Sequence, residues 1–163
     1  MEVLEVIRTR RSIRKYREEP VAEDRLEQIL DAGRWAPTAH NSQPWKFIVI
    51  RDQHIREDIA GLLPYGRFLP QAPLAIAVVV DPAVTNHPLE DGSLAAGNIL
   101  LAVHALGLGG CWVDPSAVED KVKEMLGIPG GEKLICLIPV GYADEAPTRT
   151  RKELKNIVFT DRL

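Results

Sequence analysis

This 163-residue chain contains only two cysteines, and their placement argues against sites that need several cysteines close together. Cys111 and Cys136 stand in separate short apolar segments, without C-x-x-C spacing and without a neighbouring pair of histidines. A disulfide framework and a metal centre are therefore both unexpected. We interpret the two residues as buried thiols.

The chain also lacks a run of about 18 apolar residues, the length that a membrane-spanning helix needs. Its first ten residues, MEVLEVIRTR, form an amphipathic pattern without the apolar region of a signal peptide. The formal net charge of -3 gives no general attraction to nucleic acid or to anionic lipid. We therefore expect a cytoplasmic protein that has neither a nucleic-acid partner nor a membrane partner.

No internal repeat, low-complexity segment or linker divides the chain, so residues 1–163 are expected to form a single domain. Helical and strand patterns alternate along it, which is typical of an α/β or α+β layered domain. A capping box at Ser116 and Glu119 is expected to open the last helix. The patterns predict strands at 45–50, 73–80, 111–113 and 134–142, and helices at 3–7, 26–33, 55–63, 90–106 and 116–126.

A polar loop, APTAHNSQPW at residues 36–45, precedes the first strand. Pro37 ends the preceding helix, and Pro44 leads directly into the strand. The amide side chains of Asn41 and Gln43 each carry a donor and an acceptor, so they can match the C=O and N–H groups on the edge of a flavin or pyrimidine ring. On loop statistics alone, an ordinary helix-to-strand connection is the simpler interpretation.

Two groups of arginines add to this loop. If the chain is extended after the first helix, Arg10, Ser12 and Arg14 project to one side and surround a hydroxyl with two guanidinium groups. Arg149 and Arg151 repeat the spacing near the other end. Guanidinium groups bind phosphate oxygens in a bidentate manner. One such cluster is typical of a solvated surface, but two of them with a ring-edge loop favour a phosphate-bearing ring ligand.

Four segments together resemble the FMN-dependent nitroreductase-like family: RTRRSIRKY at 8–16, RWAPTAHNSQPWKF at 34–47, the helix at 95–106 followed by GLGGCWVD, and PTRTRKEL at 147–154. The resemblance covers nearly the whole chain. It implies an α+β nitroreductase-like fold with a central mixed β-sheet flanked by helices. It also implies an obligate homodimer built on the long central helix, two FMN sites at the dimer interface, and a C-terminal tail exchanged with the partner.

The resemblance also assigns roles to residues. Arg10, Arg11, Ser12 and Arg14 would contact the FMN phosphate, ribityl chain and pyrimidine edge, and Arg149 and Arg151 would complete the phosphate clamp. The backbone N–H of Asp114 would face the flavin N5, although Pro115 next to it has no N–H to donate. The remaining cofactor contacts would be Trp112 and Val113 beside Asp114, and Pro37, Thr38, Ala39 and Asn41 from the other subunit.

The expected function is that of an FMN-dependent oxidoreductase. Hydride would pass from NAD(P)H through flavin N5 to an electron-poor acceptor, such as a nitroaromatic or a quinone, in a ping-pong scheme. No side-chain acid or base is required, since the cofactor carries the chemistry, and His40 is the candidate for substrate contact. The alternatives are another reaction of the family (dehalogenation, enoyl reduction or flavin degradation) and a non-catalytic flavin-binding protein.

The homodimer is expected to use the long helix and the tail. Small and apolar residues on the helix, Ala95, Ala96, Ile99 and Val103, form a face suited to a close helix contact between subunits. The tail from residue 143 onward has no apolar pattern for a core of its own. Its apolar patch is residues 157–159.

Overall fold

A four-stranded antiparallel sheet forms the centre of the protein, whose computed structural model describes residues 2–163. None of the helices within those residues is both long enough and apolar enough to span a bilayer. The helices are α1 (Val3–Thr9), α2 (Glu23–Arg34), α3 (Gln53–Leu62), α4 (Pro88–Ala105) and α5 (Glu119–Leu126), and the strands are β1 (Trp45–Ile50), β2 (Leu74–Val80), β3 (Gly109–Gly110) and β4 (Lys133–Gly141).

The strands follow the order β1-β2-β4-β3, and each ladder between neighbouring strands is antiparallel. Among the described residues, parallel pairing is limited to one bridge between Ser12 and Gly110 at the β3 edge. All seven residues of β2 are buried, which agrees with the continuous apolar run that predicted a strand covered on both faces. The α+β class expected from the sequence is therefore confirmed.

Alternate residues of β2 supply two separate cores. Ile76 and Val78 face a core shared with α2 and α4, whereas Ala77 and Val79 face a core shared with α3 and α5. In the first core α2 approaches α4 closely at Gly33, where an added Cβ would lie 2.9 Å from Ile99 Cγ1. The sheet is thus held between two helical layers.

The assignment of one face of α4 to the partner subunit was wrong. Its four small and apolar residues are at most 1% exposed and pack inside the subunit: Ala95, Ala96, Ile99 and Val103. A different face of α4 borders an apolar groove of about 320 Å³ against α1, where Val3 and Ile7 are exposed. The α4 residues of this groove are Asn98, Leu101, Ala102 and Ala105.

Two local predictions also differ from the structure. The strand expected at 111–113 lies at Gly109–Gly110 instead, because Gly110 pairs with both β4 and Ser12. The capping box does not form. The Ser116 hydroxyl donates to the Asp114 carboxylate at 2.9 Å, and the Glu119 carboxylate accepts from the backbone N–H of Leu134 at 3.1 Å. A 3-10 turn at Ser116–Val118 precedes α5 instead.

Candidate functional site

The segment at residues 10–14, here called the arginine arm, leaves α1 in an extended conformation and lies along the β3 edge of the sheet. The backbone N–H of Ile13 donates to the Gly110 carbonyl at 3.0 Å, and the Tyr16 hydroxyl donates to the Ile13 carbonyl at 2.6 Å. Ile13 is 7% exposed. A buried apolar side chain and two hydrogen bonds therefore fix the middle of the arm.

The arm also meets the chain that follows β4. The Glu145 carboxylate accepts a hydrogen bond from the backbone N–H of Arg14, and the Asp144 N–H donates to the Lys15 carbonyl at 2.9 Å. Sequence spacing could not predict that residues 14–15 and residues 144–145 would lie side by side, and the structure pairs them. Arg149 and Arg151 lie farther along the tail and are exposed.

Side chains of the arm point to two sides. Arg11 donates to the carbonyl oxygens of Arg8 and Arg10 at 2.7 and 2.8 Å, so its guanidinium covers the C-terminal end of α1. It also lines a separate cleft of about 510 Å³ with His104. Arg14 lines a different cleft.

Arg14 borders a cleft of about 420 Å³, here called the Arg14 cleft, whose size suits a small organic ligand. One wall is the chain from Cys111 to Asp114, and the opposite wall is the loop after α3. The Arg14 guanidinium lies 5.9 Å from the centroid of the Phe68 ring, within cation–π range. The other lining residues are Pro64, Tyr65, Gly66, Ser116 and Ala117.

Several charged and polar groups near this wall act on the Cys111 thiol. Burial and the Glu145 carboxylate raise its pKa, while Arg14, a hydrogen bond with the Ser12 side chain and Arg10 act to lower it. Arg14 lines the cleft itself, whereas Arg10 and Ser12 are not among its lining residues.

A single backbone donor is left free on the wall between Val113 and Ser116. The Val113 N–H and carbonyl are both bonded to Leu137, at 2.9 and 3.0 Å. Pro115 has no N–H, and the N–H of Ser116 is taken by the Asp114 carboxylate at 2.9 Å. Within residues 2–163, no acceptor is bonded to the Asp114 N–H, which leaves this group available to a ligand in the cleft.

The ring loop, here defined as residues 38–43, has an unusual backbone. His40, Asn41 and Gln43 have φ values of 55°, 54° and 47°. A non-glycine residue in this left-handed region costs on the order of 1–3 kcal/mol, and such residues cluster at functional sites. The surrounding structure must therefore hold the loop in this conformation.

The ring loop does not reach the Arg14 cleft of its own chain. Ala39 and His40 instead border a cavity of about 220 Å³ against residues 83–87. Of the residues that the sequence assigned to cofactor binding, Arg14, Trp112, Val113 and Asp114 line one cleft, whereas Pro37, Thr38, Ala39 and Asn41 lie outside it. One chain alone thus assembles only part of the predicted set.

Sequence reasoning missed the aromatic wall of the cleft. Tyr65 is 85% exposed and Phe68 is partly buried, on either side of Gly66. Gly66 has a φ of 126°, and an added Cβ would lie 2.8 Å from Val113 Cγ1. The run Pro64-Tyr65-Gly66 was the available signal, because such a turn next to aromatic residues is typical of a binding loop.

Comparison with known proteins identifies the family of this chain. The model of a family described as the nitroreductase family matches residues 7–64 and 60–142. A protein of Methanothermobacter thermautotrophicus with the provisional name NADH dehydrogenase/NAD(P)H nitroreductase is 42% identical over 153 residues, which cover 90% of this chain and 80% of that protein.

Solved structures give the same result. The FMN-dependent nitroreductase of Clostridium difficile R20291 superposes with a TM-score of 0.92 at 30% identity, covering 98% of this chain and 99% of its own. A Desulfovibrio desulfuricans protein with the provisional name nitroreductase, crystallised in complex with FMN, superposes with a TM-score of 0.90 at 30% identity. The match covers all of this chain and 98% of that one.

Proposed function

The chain belongs to the nitroreductase family and is an FMN-dependent oxidoreductase, and from this premise we propose that it transfers hydride from NAD(P)H to an electron-poor acceptor. The observation that carries the proposal is the Arg14 cleft. It combines an apolar slot, a cationic edge and one free backbone donor. Those are the groups that a phosphate-bearing, hydrogen-bonding ring requires.

The residues present fit FMN. Arg10 and Ser12 would offer a guanidinium and a hydroxyl to phosphate oxygens, and Arg14 would supply positive charge beside the bound ring. The free N–H of Asp114 would donate a hydrogen bond to that ring. Arg149 and Arg151 are proposed to close the phosphate clamp, because the chain that carries them begins beside the arm at Glu145.

The proposal requires a homodimer. The ring loop would complete the cleft of the partner subunit, since within one chain it lies elsewhere. Exposed apolar side chains on the tail support an exchanged tail: Ile157, Val158 and Phe159 are each more than half exposed. Clustered apolar residues of this kind mark an interaction site on a soluble protein.

Each wall of the cleft has a defined task in this scheme. When bound, FMN supplies a ring that accepts hydride from NAD(P)H and passes it to a nitroaromatic or a quinone. The Arg14 guanidinium would stabilise negative charge on the bound ring, and the Asp114 N–H would help to orient it. Trp112 and Phe68 line the slot in which the ring would lie. His40, from the partner's ring loop, is the candidate for acceptor contact.

Steady-state kinetics test the proposal. If NAD(P)H and the acceptor use the same slot in turn, initial-rate plots at several fixed acceptor concentrations will be parallel, and each substrate will inhibit competitively against the other. An Arg14→Ala variant will lose more rate in the NAD(P)H half-reaction than an Arg14→Lys control, which keeps the positive charge. Intersecting lines contradict the shared slot. Absence of NAD(P)H oxidation with every acceptor tested supports a non-catalytic flavin-binding protein instead.

A further inference from the structure

Asp91 is a buried carboxylate that the proposed chemistry does not use. It stands in the first turn of α4 and is 3% exposed. A buried carboxylate is unfavourable unless hydrogen bonds compensate for the lost water. Its surroundings are therefore informative about why an acidic residue occupies this position.

Both carboxylate oxygens of Asp91 accept hydrogen bonds from other parts of the chain. The Thr85 hydroxyl donates to Oδ2 at 2.6 Å, and the backbone N–H of Ala39 donates to Oδ1 at 3.4 Å. Thr85 in turn accepts from the N–H of His87, the residue before α4, at 3.0 Å. One side chain thus joins the start of α4 to the loop before it and to the ring loop.

The hydrogen bonds inside the ring loop close short turns. The N–H groups of Asn41 and Ser42 donate to the carbonyls of Thr38 and Ala39 at 3.2 and 3.1 Å, and Gln43 makes two longer contacts within the loop. None of these four bonds ties the loop to the rest of the chain. Ala39 immediately precedes the left-handed pair His40 and Asn41. Its bond to Asp91 therefore links this strained part of the loop to the start of α4.

We propose that Asp91 is a positioning residue for cofactor binding, and that it holds the ring loop in its binding conformation through the Ala39 N–H while Thr85 orients its carboxylate. This inference rests on the proposed function, in which the loop contacts FMN bound to the partner subunit. Asp91 does not touch the ring. It acts through the backbone of the loop.

Substitutions of Asp91 and Thr85 remove different parts of this anchor. Because both neighbours donate, Asp91→Asn keeps one acceptor oxygen and sets an amide N–H₂ against the other donor. Asp91→Ala removes both acceptors. Thr85→Val removes the orienting hydroxyl and keeps the shape of the side chain. The matched control is Asp58→Asn, which alters an exposed carboxylate on α3.

The test uses the full-length protein and measures two quantities: hydrogen exchange at the backbone amides of residues 39–43, and the dissociation constant for FMN. We expect Asp91→Ala to accelerate exchange in the ring loop and to weaken FMN binding about tenfold, the effect of losing one charged hydrogen bond. Asp91→Asn and Thr85→Val will show the same changes to a smaller extent. The Asp58→Asn control will match the wild type.

Two outcomes oppose the inference. Unchanged loop exchange with unchanged FMN affinity shows that Asp91 is no anchor. Faster exchange throughout the chain, with a normal FMN dissociation constant for the folded protein, assigns Asp91 a purely structural role. If Asp91→Ala fails to fold, Asp91→Asn and Thr85→Val provide the same two readouts. If the wild-type protein binds no FMN, the proposed function is contradicted. Hydrogen exchange at residues 39–43 of the variants then still tests whether Asp91 anchors the ring loop.

Discussion

Gly109 offers a direct way to displace the arginine arm without altering any of its charges. The Ile13 side chain packs onto this glycine, and an added Cβ would lie 2.7 Å from Ile13 Cγ1 and 2.8 Å from its Cβ. Favourable contacts between carbon atoms lie at about 3.5–4.0 Å. A Gly109→Ala variant must therefore move Ile13, and the arm with it, by roughly 1 Å.

The expected effect has two parts. Overpacking a well-filled site costs about 1–3 kcal/mol of unfolding free energy. Ile13 stands between Ser12 and Arg14, so its displacement also misplaces the groups proposed to hold FMN. Losing one charged hydrogen bond, worth about 1.5–3 kcal/mol, corresponds to a roughly tenfold to hundredfold weaker dissociation constant.

Urea unfolding and FMN titration measure these two effects separately. Gly61→Ala is the control, because nothing lies within 4 Å of a Cβ at that position on α3. It should leave FMN affinity unchanged and add about 0.5–1 kcal/mol of stability, the ordinary gain for alanine in a helix. A Gly109→Ala protein with wild-type stability and wild-type affinity would refute the role assigned to the arm.

Burial, then Arg10 and Arg11, lower the pKa of His104 below its ordinary value of about 6.5. The unfolded chain therefore binds more protons below that pH, and stability falls as pH decreases from about 6.5. His104→Gln should show a smaller fall in Tm between pH 7.5 and pH 5.5, and an equal fall contradicts this. Arg149→Ala should weaken FMN binding about tenfold to a hundredfold, whereas unchanged affinity removes it from the clamp. Deleting residues 156–163 should dissociate the proposed dimer in sedimentation experiments, and an intact dimer would contradict tail exchange.

The sequence was sufficient for the layered fold but not for the faces of its longest helix. Continuous apolar runs and helical spacing placed β2 and α4 within two residues of their observed bounds. However, α4 carries small or apolar residues on more than one side. Periodicity alone does not distinguish the side that packs on the sheet from the side that borders the groove with α1.

Long-range contacts explain what else was missed. Asp91 reads as an ordinary acidic residue at a helix N-terminus, and only its bond to Ala39, 52 positions away, shows its connection to the ring loop. Similarly, Glu145 reads as part of a polar tail until it is seen to bind the backbone of Arg14, 131 positions away. Local patterns contain no information about such pairs.

The motifs named the residues of the candidate site but not their contacts. The spacing of Arg10, Ser12 and Arg14 predicted a shared side, and of these residues Arg14 lines the cleft. Spacing gave no indication that Arg11 would bind the end of α1 instead. The assignment of these four residues to the cofactor remains a prediction, as do those of residues 112–114, Arg149, Arg151 and the ring loop.

The identity and amount of cofactor bound to the purified protein test the central claim most directly. We expect the absorption spectrum to show a flavin near one per chain, and heating to release it as FMN. Release of FAD, or no flavin binding even after incubation with FMN, would contradict the assignment of the Arg14 cleft and the arginine arm to FMN.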